Sequence, residues 1–204
     1  MNIAYRFRIY PNREQEVLLA KTFGCCRFLY NQMLNDKIRE YEKTKKMLKN
    51  TPAMYKKEYP FLKEVDSLAL ANVQLHLEKA YKNFFRDPKI GFPRFKSKHH
   101  SRNSYTTNVV NGNILVESKR IRLPKLKWIA MKKHREPAEG LRLKSVTVSM
   151  EPSGKYFASL LYEGYSCENQ AAEPDYSTAK ILGIDYAMQG MAVFSETVSY
   201  THLR

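Results

Sequence analysis

Two short apolar runs near the C-terminus, Ile181, Leu182 and Ile184 and then Met191, Val193 and Phe194, bracket the single carboxylate of Asp185 in the stretch GIDYAM. Small and polar residues between the runs give the pattern of a buried hairpin. A carboxylate in such a strand costs free energy unless something offsets its lost hydration. Whatever folds around Asp185 must therefore supply counter-charge.

Charge points to the partner. Thirty-five Lys and Arg against 20 Asp and Glu leave +15 and a pI near 9.7. Such a balance favours polyphosphates through the summed field and the counterions they release. The cations are clustered. Residues 119–135 carry eight Lys and Arg and no acid, and residues 86–102 carry six against Asp87 alone. Residues 156–179 invert this, with Glu163, Glu168, Glu173 and Asp175 and no Lys or Arg, which marks a boundary. The candidate nucleic-acid contacts are Arg94, Lys96, Lys98 and Arg102 in one cluster and Lys119, Arg120, Arg122, Lys125, Lys132 and Lys133 in the other.

With 43% hydrophobic residues the chain can bury a sizeable core. MNIAYRFRIYP carries charges where a secretory signal would be apolar, and no apolar run approaches the ~18 residues of a membrane span. A cytoplasmic protein without a membrane partner is expected. Three cysteines, the adjacent Cys25 and Cys26 and a lone Cys167, show no CxxC spacing, so neither a zinc site nor a disulfide framework is supported.

Local patterns divide the chain. Ile3, Tyr5, Phe7 and Ile9 alternate with Ala4, Arg6, Arg8 and Tyr10, the period of a strand that packs one face and offers Arg6 and Arg8 on the other. Pro11 and Asn12 end it. Asn12 can cap a helix with Gln15 closing a capping box, and Leu18, Cys25, Leu29 and Met33 carry that helix on to about Glu42. Gly24 allows a kink or a turn within it. A second helix is expected after Pro60, capped by Asp66, with Leu70, Val73, Leu77, Tyr81 and Phe84 as its packing stripe. Residues 91–102, GFPRFKSKHHSR, are too rich in Pro and charge for a helix; Phe92 and Phe95 could stack on bases or pin a loop. From Ser104 the pattern is β, with Asn111-Gly112 as a hairpin signal, alternation at 120–123, and a turn at 152–154 between two longer strands. Several short strands at this spacing suggest a small antiparallel barrel.

In order, YRFRIYPNREQ, FGCCRFLYN, EYPFLKEVDS, KNFFR, GFPRFKSK, IRLPKL, SVTVSMEPSGKYFASLLYE and GIDYAM resemble the N-terminal half of the TnpB proteins of insertion sequences, long described as transposases with a helix-turn-helix. The resemblance implies an α+β fold: an antiparallel wedge (OB-like) β-barrel with an inserted helical recognition lobe, then the first hairpin of an RNase H-like (RuvC) domain. It implies residues 1–10 as the first barrel strand, 11–103 as the helical lobe, 104–165 as the barrel, 166–179 as an acidic linker, 180–197 as the start of RuvC and 198–204 as a non-native tail. It implies an RNA-guided DNA endonuclease with guide RNA and target DNA as partners. Asp185 falls on the first RuvC carboxylate, catalytic and a ligand of Mg2+. The family's other acids and its zinc ribbon would lie past Arg204, so the stretch given is expected to be inactive by itself.

The rival reading is a non-catalytic helix-turn-helix DNA-binding protein, and an RNA-binding protein of translation comes third. The plainer roles are structural ones. His76 has no partner at ligand spacing, His99 and His100 sit in a basic loop, Cys25 and Cys26 read as helix packing, and Trp128 reads slightly better as core than as a base-stacking surface.

Overall fold

A computed structural model describes residues 2–99 and 101–164, together with the backbone of 184–185 and 193–194. The first strand, β1 (Asn2–Tyr10), buries Phe7 and Ile9 and leaves Arg6 and Arg8 exposed, as its alternation requires. Asn12 then starts α1 (Arg13–Thr44). Its side chain accepts from Gln15 N at 2.9 Å while Asn12 N donates to Gln15 Oε1 at 3.0 Å, so both halves of the capping box form. The helix runs 32 residues without a break. Gly24 is helical, and open space surrounds the position a Cβ would take. No turn interrupts the helix there, because capping and the buried Leu19, Phe23, Leu29 and Met33 carry it through.

A short helix, α2 (Pro52–Glu58), begins on a proline whose missing N–H costs nothing at a helix start, and it buries Tyr55. The helix α3 (Ser67–Arg86) opens on Asp66, which accepts from Leu68 N at 3.1 Å, and buries Leu70, Val73, Leu77 and Tyr81. The other Asp66 oxygen accepts the Thr107 hydroxyl and so fastens the helix to a strand.

The remaining strands are β2 (Asn103–Asn108), β3 (Leu115–Val116), β4 (Arg120–Leu123), β5 (Lys127–Lys132), β6 (Arg142–Met150) and β7 (Tyr156–Glu163). With β1 they form one antiparallel sheet, open at its ends, in the order β2-β6-β7-β1-β5-β4-β3. The first strand of the chain lies at its centre: Phe7 pairs with Ala158 and Ile9 with both Tyr156 and Met131. One face of the sheet, with Ile121, Ile129, Met131, Val146, Val148 and Leu160, shares a continuous core with α1 and α3. Phe23 meets Tyr105 of β2 with ring centroids 5.9 Å apart.

One local reading is corrected. Asn111 and Gly112 do turn, with φ of 49° and 69°, and Asn113 Oδ1 accepts from Val110 N at 2.8 Å. The arms do not pair with each other. β2 goes to β6 at one end of the sheet and β3 to β4 at the other, because an Asn-Gly turn fixes only its own geometry and partner strands decide the rest.

Residues 167–204 form a separate unit from residues 1–166. Within it β8 (Ile184–Asp185) and β9 (Val193–Phe194) pair antiparallel, Asp185 opposite Val193. The expected linker 166–179, most of 180–197, the tail 198–204, Cys167, His100 and the Asp185 side chain lie outside the described residues.

Candidate nucleic-acid interface

Register assembles the outer face of the sheet. Arg8 lies opposite Lys132 on one side and Phe157 on the other; Arg6 lies opposite Ser159; Arg120 and Arg122 lie opposite Ala130 and Trp128. Directly paired residues share a face, so Arg6, Arg8, Arg120, Arg122 and Lys132 stand together with Tyr10, Trp128 and Phe157 on the surface away from the core. Cations there are seated on rings. The Arg6 guanidinium lies 4.0 Å from the Phe157 centroid, Arg8 5.0 Å from Tyr10 and Arg120 4.6 Å from Trp128. Trp128, expected slightly more as core, is half-buried on this outer face, because it shares parity with Ala130 and Lys132 and not with Ile129. Interleaved guanidiniums and aromatic faces can neutralise phosphates and stack bases.

The cations differ in what they already hold. Arg6 is paired with Glu151 at 2.6 Å and Arg120 with Glu117 at 2.6 Å. Lys133 pairs with Glu136, and its side chain is only 11% exposed, so it is engaged and largely covered. Arg122 donates to Gly112 O at 3.3 Å. Arg8 and Lys132 carry no ion pair among the described residues, though they are directly opposed like charges, an arrangement that costs free energy until an anion lies between them. Lys119 is exposed just before β4, and its carbonyl accepts from Met131 N at 2.7 Å. Lys125 is exposed in the β4–β5 turn, where it and Lys127 hold left-handed backbone at φ of 65° and 59°. That turn is clamped by Gln15, whose Nε2 donates to Leu126 O and Trp128 O, each at 2.9 Å.

The other cluster is divided. Arg94 and Lys98 are exposed on the loop before β2, and Phe95 is 55% exposed. Phe92 meets Tyr81 and Phe84 edge-on yet remains 45% exposed, which is a pinned loop with a free ring edge. Lys96 turns inward. Asn31 holds its backbone through both amide atoms, at 2.8 and 2.9 Å, and the ammonium lies 4.1 Å over the Tyr30 ring. Burial pushes its pKa down. With Arg102 it lines a cleft between α1, α3 and β2 that Arg27 and His76 also line. Sequence reasoning missed Arg27 and gave His76 a structural part, since only the tertiary fold brings residues 27, 76, 96 and 102 together. Cys25 and Cys26 are buried as expected, and burial pushes the Cys26 thiol up to about 12.

Among the described residues no three His, Cys, Asp or Glu converge as a metal site. No helix among them is long and apolar enough to cross a membrane.

Comparison with known proteins decides the family. Over 204 residues the chain is 32% identical to a Streptomyces pristinaespiralis protein named "Putative RNA-guided DNA endonuclease", covering 94% of this chain and 48% of that one. It is 30% identical to the Escherichia coli K12 protein named "Putative RNA-guided DNA endonuclease InsQ", covering 95% of this chain and 47% of the relative. The chain belongs to the TnpB family. It spans about half the length of these curated relatives. A shorter relative, the Salmonella dublin "Virulence protein VsdF", is 36% identical over 107 residues, 45% of this chain and 89% of that one. A family model described as a helix-turn-helix domain matches residues 1–46. In this TnpB-family chain those residues are a central sheet strand and one unbroken helix.

Proposed function

We propose that this chain is the nucleic-acid-holding portion of a TnpB-type RNA-guided DNA endonuclease, with guide RNA and target DNA as its partners and the cytoplasm as its location. In this reading the sheet serves as the wedge barrel, α1 to α3 as the recognition lobe, and β8 and β9 as the opening of a RuvC nuclease. The observation that carries it is the outer sheet face, where register gathers five Lys and Arg with three aromatic rings. Base pairing by a guide would supply sequence, while the protein holds backbone and shape. A helix-turn-helix regulator would need a turn inside residues 13–44, where α1 is continuous.

Hydrolysis in such an enzyme would draw on divalent metals, which would activate water and stabilise the leaving oxygen. Magnesium is the metal expected, with Asp185 as one ligand. A single carboxylate cannot hold such metals against water. The 204-residue chain should therefore bind structured RNA with an affinity that falls steeply as salt rises, and should not cut DNA when magnesium is added. Asp185→Ala should leave RNA affinity unchanged. A flat salt dependence would refute the binding role, and robust magnesium-dependent cutting would refute the assignment of Asp185 to an incomplete site.

A further inference from the structure

The cleft between α1, α3 and β2 is lined by Arg27, His76, Lys96 and Arg102 and by no acidic residue. The four basic groups come from α1, α3 and the loop before β2. Holding like charges together without an acid among them costs free energy, and each would be stabilised by an anion at their centre. The site is built: Asn31 fixes the Lys96 backbone from both sides, and Tyr30 seats its ammonium. Asp66, which packs nearby as the α3 cap, is already engaged by Leu68 N and the Thr107 hydroxyl. The Cys26 thiol and Tyr105 phenol bordering the cleft are pushed up by burial and are neutral at physiological pH.

We propose that this cleft clamps one phosphodiester of a bound RNA strand, separately from the outer sheet face, and that His76 makes the clamp tighten as pH falls. The inference rests on the nucleic-acid reading above. The chemistry needed is a tetrahedral anion with several acceptor oxygens, which two guanidiniums, an ammonium and an imidazolium can share. In the free protein His76 has its pKa lowered by partial burial, then by Lys96, then by Lys79 on its own helix. Arg27 from α1 and Arg102 from the strand approach face the same cleft. A phosphate there offsets these cations and raises the His76 pKa, so binding takes up a proton. By linkage affinity increases as pH falls through the raised, bound-state pKa, and the gain is complete below the lowered, free-state value.

The test follows the His76 ring resonances by NMR in the full chain, across a pH series, with no anion, with inorganic phosphate, or with a short oligouridylate. Oligouridylate affinity is measured in parallel at about pH 7.5 and about pH 5.5, on either side of the usual histidine range. The expected result is a raised His76 pKa with the oligonucleotide and severalfold tighter binding at the lower pH, a pH gain that His76→Gln abolishes. Arg27→Gln and Arg102→Gln together should reduce the salt slope by about 0.7, the single-strand value for the one phosphate they share, with melting curves unchanged. If inorganic phosphate alone moves His76, the cleft is a small-anion site and the strand proposal is overturned. If the oligonucleotide binds with steep salt dependence while His76 stays unmoved, the clamp is wrong and the outer-face reading stands. If the oligonucleotide does not bind at all, both fail.

Discussion

Replacing Arg8 and Lys132 together by Gln separates binding from stability. These two are direct cross-strand neighbours on the exposed face, and like charges so placed destabilise by roughly 0.2–1 kcal/mol. Removing them relieves that repulsion and loses the contact of Arg8 with the Tyr10 ring at 5.0 Å, worth about 0.5 kcal/mol at an exposed site. The two nearly cancel, so unfolding free energy should change by less than about 0.5 kcal/mol in either direction. RNA binding has no such cancellation. If each cation neutralises one phosphate of a single strand, the slope of log affinity against log salt falls by about 1.4, which is about 25-fold in affinity at 0.1 M salt and vanishes toward 1 M. Fluorescence anisotropy with a labelled RNA across a salt series measures the slope, and thermal melting by circular dichroism measures the stability. An unchanged slope would refute the outer face as the binding surface. A loss of several kcal/mol would show instead that both side chains hold the fold.

Three further outcomes follow from the helix and its clamp. Gly24→Ala should raise stability by about 1 kcal/mol, the helix-propensity difference, because nothing lies within 4 Å of the new Cβ; destabilisation in a urea melt would mean that Gly24 does form a turn. Gln15→Leu should cost about 2–3 kcal/mol, since it removes the Gln15 side-chain half of the capping box and leaves Leu126 O and Trp128 O without their 2.9 Å donors, and Gln15→Glu, which keeps only the acceptor, should recover part of the loss in the same melt. Cys26, its thiol raised to about 12 by burial, should resist iodoacetamide at mildly alkaline pH and react only on unfolding, with reactivity rising as pH approaches that value; rapid alkylation in the native state, read by mass spectrometry, would refute its burial.

What was legible in the sequence was local. The alternation of β1, the Asn12–Gln15 capping box, the Asp66 cap and the stripe from Leu70 to Tyr81 each need only a few neighbouring residues, and each is present. What failed depended on distant partners. Asn111-Gly112 announced a hairpin, but β2 is mostly polar and finds β6, where Thr106 and Thr147 place their hydroxyls 2.8 Å apart. Gly24 suggested a break, yet the flanking residues bury enough apolar surface to keep α1 whole. Trp128 could be read either way until β4 and β1 fixed its parity. The α2 helix was not read at all, because seven residues with one buried side chain carry no period.

The same distinction governs the candidate interface. A net charge of +15 counts every cation alike, whereas affinity for a phosphate depends on what each cation must release to bind it. Arg6, Arg120 and Lys133 each hold a carboxylate, so a strand must compete with Glu151, Glu117 and Glu136 for them. Arg8 and Lys132 hold no carboxylate among the described residues, so a phosphate relieves their mutual repulsion without displacing an acid. In the cleft, Lys96 and His76 have their charged forms disfavoured by burial before any ligand arrives, so an anion there would stabilise both. The open face therefore answers mainly to salt, and the cleft to pH as well, although both take the same chemical group.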